Sequence, residues 1–538
     1  MSDMTPEVMS ATGRASTAAV SRPNRRAPAF AVLRRVRPDR ISAVWQGALL
    51  ALTFAVAAYY TLKTNRDFWY DEAMLVLAIR HEGWLPPWQP MAIFEQSTPY
   101  GVYVIQKLML NVVGFSTNVL RIPSLIVAAI GGFATWRTGR LLYGGTAAFV
   151  AALVAIGSVF VVQEAGDFKQ YVFEYTSAAV VAYFGAGALK SGVRIRSTVT
   201  LFAVAIVLLL FSNTIVLVTV AVAVTVIAAS ILQPERPSRL RIAAFGIAAV
   251  VYLVIFAAWY LLVARPASSF QLAYPTYSQI NGLQGYAGIV QNVTQPTVAY
   301  FVQITTFAAV GLVVAAFWRR RLLPAFAFAA VAILGGAAAL ALGAAPFSAE
   351  RQILFLVPLI GIATGAAVRA IWSVLSTAIP TPQQGRRLVI GGLAIVVTAG
   401  MIWTIKPNAV IQRQQVGTAL AQYSSSCPAF WIDWWAQPAA TLYAEQLGIS
   451  SHLHGLVSTA SGKGQDAWAY RVIDHPAAYQ TAMVRYVKRH PSTCVMIGTR
   501  PDEVGLVLTP LADAHLTCTQ FAALADTQLY RCVRKGTT

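Results

Sequence analysis

Long apolar stretches separated by short polar loops fill residues 43–404 of this 538-residue chain. A helix that crosses roughly 30 Å of hydrocarbon needs about 20 apolar residues. Eleven stretches approach that length: 43–62, 120–137, 146–163, 171–189, 198–212, 214–232, 242–263, 297–317, 323–343, 352–372 and 388–404. Only 12% of the residues are charged, about half of the usual share in soluble proteins. The sequence therefore predicts a polytopic α-helical membrane protein with about eleven transmembrane helices.

The loops between these stretches alternate in charge, which predicts the orientation of the chain. With the N-terminus inside, every inner loop carries Lys or Arg, as the positive-inside rule requires. These residues are Arg137, Arg140, Lys190, Arg194, Arg196, Arg236, Arg239, Arg241, Arg319, Arg320, Arg321, Arg369, Arg386 and Arg387. Nine of the ten acids in residues 43–404 then lie outside, and Glu235 is the exception. Because the net charge of +20 is distributed in this way, we do not interpret it as nucleic-acid binding.

The two ends of the chain differ in composition from the membrane part. Residues 1–42 are basic and rich in Pro, Ala and Ser, which predicts a disordered cytoplasmic tail. Residues 405–538 have an ordinary composition, and eleven crossings place them in the periplasm. Apolar strands and amphipathic helices alternate there, which predicts a small α/β domain. The predicted location is the inner membrane, with 43–404 as the membrane domain and 63–119 as its first periplasmic loop.

All four cysteines lie in the predicted C-terminal domain. An even number of cysteines confined to one domain suits an oxidising compartment, although buried free thiols are an alternative. Two late apolar runs can pair as antiparallel strands, which would bring Cys518 near Cys532. Cys427 and Cys494 would then form the second disulfide.

The first outer loop contains an acidic pair and a short apolar run. Asp71 and Glu72 stand among aromatic residues just after the first span, where carboxylates lose solvation unless something pairs or uses them. A carboxylate there can act as a general base toward a hydroxyl or an amine. Alternatively, the pair caps the N-terminus of the helix that follows. The run 102–115 is too short to span, so we predict a helix lying at the membrane interface.

Other candidate site residues lie in the second outer loop and before the tenth span. Glu174 is the only acid inside a predicted span, and such residues are often functional. Lys169 suits a lipid phosphate as a point charge, or it forms a local ion pair with Glu174. Arg351 can bind a phosphate bidentately, or its side chain extends along the helix to the interface. The chain has no Walker loop, zinc-protease motif or nucleophile elbow, which disfavours ATP-driven transport and hydrolysis.

The order of these motifs resembles that of the GT-C membrane glycosyltransferases. Within that superfamily it is similar to the protein O-mannosyltransferases and lipid A aminoarabinose transferases, the glycosyltransferase family 39 type. The motifs that carry the resemblance are 69–73, 97–100, 120–124, 139–144, 164–174 and 351–358. The resemblance covers residues 45–375, and related chains often have an extracytoplasmic C-terminal domain like 405–538. It implies the GT-C fold.

The resemblance also implies an inverting transfer of a sugar from a polyprenyl-phosphate donor. Asp71 would be the general base, with Glu72 beside it as the second catalytic candidate. Lys169 and Arg351 would hold the donor phosphate. The acceptor would be a lipid, a glycan or a protein, and the surroundings are membrane lipids. No cofactor is required, and a divalent cation is allowed although no metal ligands are predicted.

The second carboxylate of the family pattern has two candidates in this chain. Glu174 occupies the place where the family pattern has an aspartate. Asp167 is the alternative, and Glu164 and Tyr171 belong to the same acceptor segment. Two other functions compete with an enzyme. A transporter or flippase of lipid-linked glycans would favour broken helices and internal repeats, which the sequence lacks, and a sensor would need a cytoplasmic output domain.

Overall fold

A computed structural model describes residues 38–63, 67–232, 237–269, 323–341, 354–378, 415–456, 476–498 and 504–534. The chain forms two compact units, 1–45 and 46–538, and every contact given below lies within the second unit. The predicted spans 297–317 and 388–404 and the candidate residue Arg351 lie outside the described residues.

Helices dominate the described part of residues 43–404. They are α1 Pro38–Lys63, α2 Tyr70–His81, α3 Tyr100–Val113, α4 Thr117–Leu142, α5 Gly145–Ile156, α6 Val159–Ala165, α7 Tyr171–Lys190, α8 Ile195–Leu208, α9 Ile215–Leu232, α10 Arg239–Trp259, α11 Leu323–Ala341 and α12 Val357–Ala378. A π-helical turn, Tyr260–Ala264, extends α10 to Ala267. Each predicted span within the described residues coincides with a helical segment. The third span differs from the prediction because it is divided between α5 and α6 at Gly157 and Ser158.

Three helices of the described residues are long and apolar enough to cross a membrane individually: α4, α7, and α10 with its extension to Ala267. The other predicted spans in the described ranges contain apolar helical segments of 10–17 residues. At a rise of about 1.5 Å per residue, such a segment covers less than the full hydrocarbon thickness unless its polar ends contribute. The number of eleven spans therefore stays a prediction.

Small residues allow the helices of the membrane region to approach closely. On α12, Gly361 and Gly365 are four residues apart and lie on one face of the helix. A Cβ atom would lie 2.6 Å from the carbonyl oxygen of Ala151 at the first position and 2.5 Å from that of Ala147 at the second. Both oxygens belong to α5, so the two helices pack backbone to backbone. This spacing of small residues is typical of helix pairs in membranes.

The loop 63–119 contains α2, the 3₁₀ turn Ile93–Glu95 and α3. The predicted interfacial helix corresponds to α3, and its location at a membrane interface stays a prediction. Lys107 of α3 is buried, and its ammonium group donates hydrogen bonds to the carbonyl oxygens of Ile79 and Glu82. Because these carbonyls end α2, Lys107 compensates the negative end of that helix. Thus α3 holds the C-terminal end of α2.

The C-terminal domain is a mixed five-stranded sheet with helices, as the alternating pattern predicts. Its strands are β1 Phe430–Ile432, β2 Leu453–His454, β3 Cys494–Ile497, β4 Leu516–Leu524 and β5 Thr527–Arg534; its helices are α13 Val416–Tyr423, α14 Gln437–Leu447, α15 Pro476–Arg489 and α16 Val504–Asp513. The strand order is β2-β1-β3-β5-β4. β1 runs parallel to β2 and β3, whereas β5 is antiparallel to β3 and β4. Disulfides join Cys427 to Cys494 and Cys518 to Cys532, the pairs that the sequence favours.

Helix α2 and the C-terminal domain share one hydrophobic core. Residues 73–79 of α2 pack in the same cluster as the apolar residues of α13, α14, β1 and β3. Helix α2 is therefore bound to a domain that follows it by more than 300 residues in the chain.

Candidate functional site

The acidic pair begins α2, and its two carboxylates have different environments. Glu72 is fully buried, whereas Asp71 is only partly buried. Successive residues of an α-helix point about 100° apart, so one can enter the core while the other faces outward. The backbone N–H of Trp69 donates a hydrogen bond to Glu72 Oε2 at 3.3 Å. The helix-capping role considered for the pair thus belongs to Glu72.

A buried ion pair joins Glu72 to the start of α4. Arg121 is 0% exposed, and its Nη2 lies 3.0 Å from Glu72 Oε2 and 3.3 Å from Oε1. The Arg121 guanidinium also lies 4.8 Å from the centre of the Phe68 ring. A charge-assisted hydrogen bond at low dielectric is stronger than a neutral one. The pair therefore fixes the first turn of α2 against α4.

The loop 166–170 closes over the same carboxylate. The backbone N–H of Phe168 donates to Glu72 Oε1 at 2.6 Å, and Ser124 Oγ donates to the carbonyl oxygen of Asp167 at 3.1 Å. Lys169 is buried, and its Nζ donates to Gln96 Oε1 at 3.1 Å. Three separate parts of the chain thus meet at Glu72. The structure brings Asp71, Glu72, Asp167 and Lys169 into this region.

The other predicted site residues are placed differently. Glu174 is buried in the first turn of α7, and its side chain forms a hydrogen bond with Thr214 between α8 and α9. Glu164 is buried in α6, and Tyr171 begins α7. Arg351 lies outside the described residues. The roles of these four residues stay predictions. In the part of the chain that the structure describes, no three His, Cys, Asp or Glu side chains are grouped as metal ligands.

Arg121 lies at the centre of this site, but the sequence predicts no role for it. In the sequence it is noted only as a member of the 120–124 motif. A charge at the beginning of an apolar span, with an acid in the preceding outer loop, is the signal that could have identified it, because intramembrane charges pair with one another.

The residues that precede Asp71 in the chain are attached to the C-terminal domain. Asp67 Oδ2 accepts a hydrogen bond from the backbone N–H of Thr418 at 2.8 Å. The Tyr443 hydroxyl accepts one from the backbone N–H of Phe68 at 2.6 Å. Burial raises the pKa of the Asp67 carboxyl, and the hydrogen bonds from Thr418 and Gly417 only partly oppose this shift. Burial also raises the pKa of the Tyr443 hydroxyl well above its usual range.

The raised pKa of Asp67 predicts a pH dependence of stability. A carboxyl whose pKa is higher in the folded than in the unfolded state stabilises the fold fully below its ordinary pKa, 3.8. This contribution is lost as the pH rises through the raised folded pKa, with a slope of at most about 1.4 kcal/mol per pH unit. The unfolding free energy of the wild type, minus that of Asp67→Asn, should therefore fall as the pH rises above 3.8. Denaturant titrations at several pH values measure this difference, and a rising difference would contradict the prediction.

Residues 97–262 match the sequence profile of a family described as dolichyl-phosphate-mannose-protein mannosyltransferase. In fold, the chain is similar to ArnT from Cupriavidus metallidurans in the apo state, with a TM-score of 0.51 and 13% identity over 91% of this chain and 98% of ArnT. The same protein bound to undecaprenyl phosphate aligns with a TM-score of 0.49 and 12% identity, over 90% and 97%. The Archaeoglobus fulgidus oligosaccharyltransferase, in a complex with zinc and sulfate, aligns with a TM-score of 0.46 and 12% identity, over 89% and 73%. No curated protein matches the sequence.

The profile match and the likeness to apo ArnT bear on the class of the protein. The similarity to apo ArnT over 91% of the chain shows the fold of a polytopic, integral membrane protein with a small sheet domain. The predicted resemblance is confirmed, because the mannosyltransferase profile matches the region that contains the 97–100, 120–124 and 164–174 motifs. The profile match and the fold together indicate a membrane glycosyltransferase of the GT-C type.

Proposed function

We propose that this glycosyltransferase moves a sugar from a polyprenyl-phosphate donor to a lipid, glycan or protein acceptor at the periplasmic face, with Asp71 as the general base. The observation that carries the proposal is the contrast at the start of α2. The neighbours Phe68 and Glu72 are immobilised in the core, while Asp71 between them is partly exposed. The donor class is supported by the matching family, which is named for a dolichyl-phosphate sugar, a polyprenyl-phosphate donor.

The reaction needs one base and one group that stabilises the leaving phosphate. Asp71 takes the proton from the acceptor hydroxyl or amine, and the acceptor oxygen or nitrogen forms a bond to the anomeric carbon. The bond from that carbon to the phosphate oxygen breaks, and polyprenyl phosphate leaves with the electron pair. Attack from the side opposite the phosphate inverts the anomeric centre. The Lys169 ammonium compensates the charge that develops on the phosphate.

Glu72 serves the reaction as a positioning residue in this proposal. Its oxygens accept hydrogen bonds from Arg121, from the Phe168 N–H and from the Trp69 N–H. Because Glu72 is 0% exposed and held by these contacts, it is less accessible to an acceptor than the partly exposed Asp71. Its function is then to orient the helix turn that presents Asp71.

A transfer assay with the purified protein tests the proposal. The donor is a polyprenyl-phosphate sugar prepared from the membranes of the source cells, and mass spectrometry measures released polyprenyl phosphate and the glycosylated acceptor. A parallel reaction with a nucleotide sugar should give no transfer. If the lipid-linked sugar crosses vesicle membranes without cleavage, the protein is a flippase and the proposal is wrong. Envelope glycans of cells that lack the protein would identify the sugar.

Replacing Lys169 by methionine should lower kcat/KM for the donor by about 10- to 100-fold, the effect of losing one charge-assisted hydrogen bond worth about 1.5–3 kcal/mol. Methionine is close in length to lysine and brings no charge into the buried site, so the protein should fold. Initial rates at varied donor concentrations measure the effect. Lys190→Met, at the last residue of α7, is the matched control. Equal rates for Lys169→Met and the wild type would remove Lys169 from the donor site.

A further inference from the structure

We propose that the C-terminal domain is a positioning part of the catalytic centre. Two of its side chains and one of its helix ends hold residues 67–70, the segment that leads into Asp71. We call this set of contacts the clamp; it consists of Tyr443, Trp435 and the first turn of α13. The inference rests on the proposed function of Asp71 as the base.

Tyr443 forms the centre of the clamp. Its hydroxyl accepts the Phe68 N–H at 2.6 Å, and its ring meets the Phe115 ring edge to face with centroids 5.8 Å apart. Gly417 packs directly against that ring. A Cβ atom at position 417 would lie 2.6 Å from the Tyr443 ring, so a larger residue would displace it. The phenol is thus held between α13 and the loop 63–119. The amide of Phe68 is buried, so an acceptor at this place is required to satisfy it.

The first turn of α13 supplies the second contact. The early N–H groups of a helix have no partner within the helix and are usually capped by a nearby side chain. In α13 the cap comes from Asp67, which is 351 residues earlier in the chain and accepts from the Thr418 N–H at 2.8 Å. The Thr418 hydroxyl lies 3.4 Å from the other oxygen of the same carboxylate. These two contacts join Asp67 directly to the first turn of the domain.

Further contacts lie on either side of Asp71. The Tyr70 ring packs on the Trp435 ring at a centroid distance of 4.7 Å. At the far end of α2, Glu445 of α14 lies 3.3 Å from Arg80 and 3.0 Å from His81. Together with the shared core, these contacts join α2 to α14 along its length.

Asp71 consequently stands between two anchors of different origin. The clamp fixes the residues before it, and the ion pair between Glu72 and Arg121 fixes the residue after it. A displacement of about 1 Å at a reacting group can lower a rate by about 100-fold. The contacts that define the clamp involve Asp67, Phe68 and Tyr70, and none of them is made by Lys169, the described residue assigned to the donor phosphate. Loosening the clamp should therefore lower kcat and leave the KM for the donor unchanged.

Tyr443→Phe tests the clamp, because it removes the acceptor of the Phe68 N–H and keeps the ring. Tyr486→Phe is the matched control, a tyrosine of the same domain whose ring stacks with His454 and His490. Gly417→Ala is a second variant, which displaces the Tyr443 ring by steric contact. Hydrogen exchange followed by mass spectrometry measures the backbone amides of residues 67–72, and the transfer assay measures kcat and donor KM on the full-length protein.

In Tyr443→Phe we expect exchange in 67–72 to rise about tenfold and kcat to fall about tenfold with donor KM unchanged. Gly417→Ala should show both effects, and Tyr486→Phe neither. Unchanged exchange in both clamp variants overturns the clamp. Faster exchange with wild-type kcat overturns the positioning role. A wild type that transfers no sugar contradicts the proposed function instead, and the exchange experiment still decides whether the C-terminal domain holds the segment.

Discussion

The free energy of unfolding should fall by about 3–5 kcal/mol when Arg121 is replaced by methionine, the usual cost of removing one partner of a buried ion pair. Glu72 would lose its cationic partner in a site that is 0% exposed, where the backbone N–H groups of Trp69 and Phe168 would be its remaining hydrogen-bond donors. The start of α2 would lose its attachment to α4. Thermal unfolding in detergent micelles, followed by tryptophan fluorescence, measures the change as a lower transition midpoint.

Two further variants distinguish the ion pair from the volume of the side chain. Arg140→Met changes the same residue type near the end of the same helix, where the guanidinium lies over Trp136. It should cost less than about 1 kcal/mol, because Arg140 is partly exposed and charges with access to solvent contribute little. The double variant Arg121→Met with Glu72→Gln should recover more than half of the lost stability, because no unpaired charge is then buried. A double variant as unstable as Arg121→Met would show that the charge of Glu72 is not the cause.

The helices were predictable because their signals are local. The length of an apolar stretch and its flanking charges predict 171–189, and the structure has α7 from Tyr171 to Lys190. In the C-terminal domain, the same applies to the apolar strands that the sequence predicts, of which β3, Cys494–Ile497, is one. Each of these patterns is contained in fewer than about 25 residues, the range over which periodicity and end signals operate.

The contacts that form the site were not predictable in this way, because their partners are distant in the sequence. Arg121 follows Glu72 by 49 residues, and Thr418 follows Asp67 by 351. An arginine at the start of an apolar helix has the same local pattern whether it extends to the interface or pairs with an acid. For Arg351, the alternatives were binding of a phosphate and extension to the interface. Only the tertiary fold decides which one applies to Arg121.

The sequence also could not separate the two members of the acidic pair. Asp71 and Glu72 have the same aromatic neighbours in the chain, and both qualify as a base or as a cap. The difference arises from the rotation of about 100° between successive helix residues, once the packing of α2 determines which face is buried. Glu72 enters the core against Arg121, and Asp71 stays partly exposed. The structure thus supports different roles for two residues that the sequence treats alike.

Asp71→Asn should lower the rate of sugar transfer by at least about 100- to 10,000-fold, the range contributed by general acid–base groups. The amide has the shape of the carboxylate but cannot accept the proton of the acceptor. Because Asp71 is partly exposed, the substitution should leave the thermal midpoint within about 2 °C of the wild type. Transfer rates at saturating donor, with the midpoint measured on the same preparation, test both expectations. Asp513→Asn, an exposed aspartate at the end of α16, is the matched control and should transfer at the wild-type rate.

Glu72→Gln completes the comparison, because it distinguishes a base from a residue that orients one. If Glu72 is the positioning residue, the glutamine variant loses stability together with activity, and the remaining activity keeps the pH profile of the wild type. The amide can still accept the Phe168 N–H, so some transfer should persist. If Glu72 were the base, its variant would be inactive, while Asp71→Asn would stay active. That second pattern would exchange the roles of the two carboxylates, and the partial exposure of Asp71 would then reflect only its position on the outer face of α2.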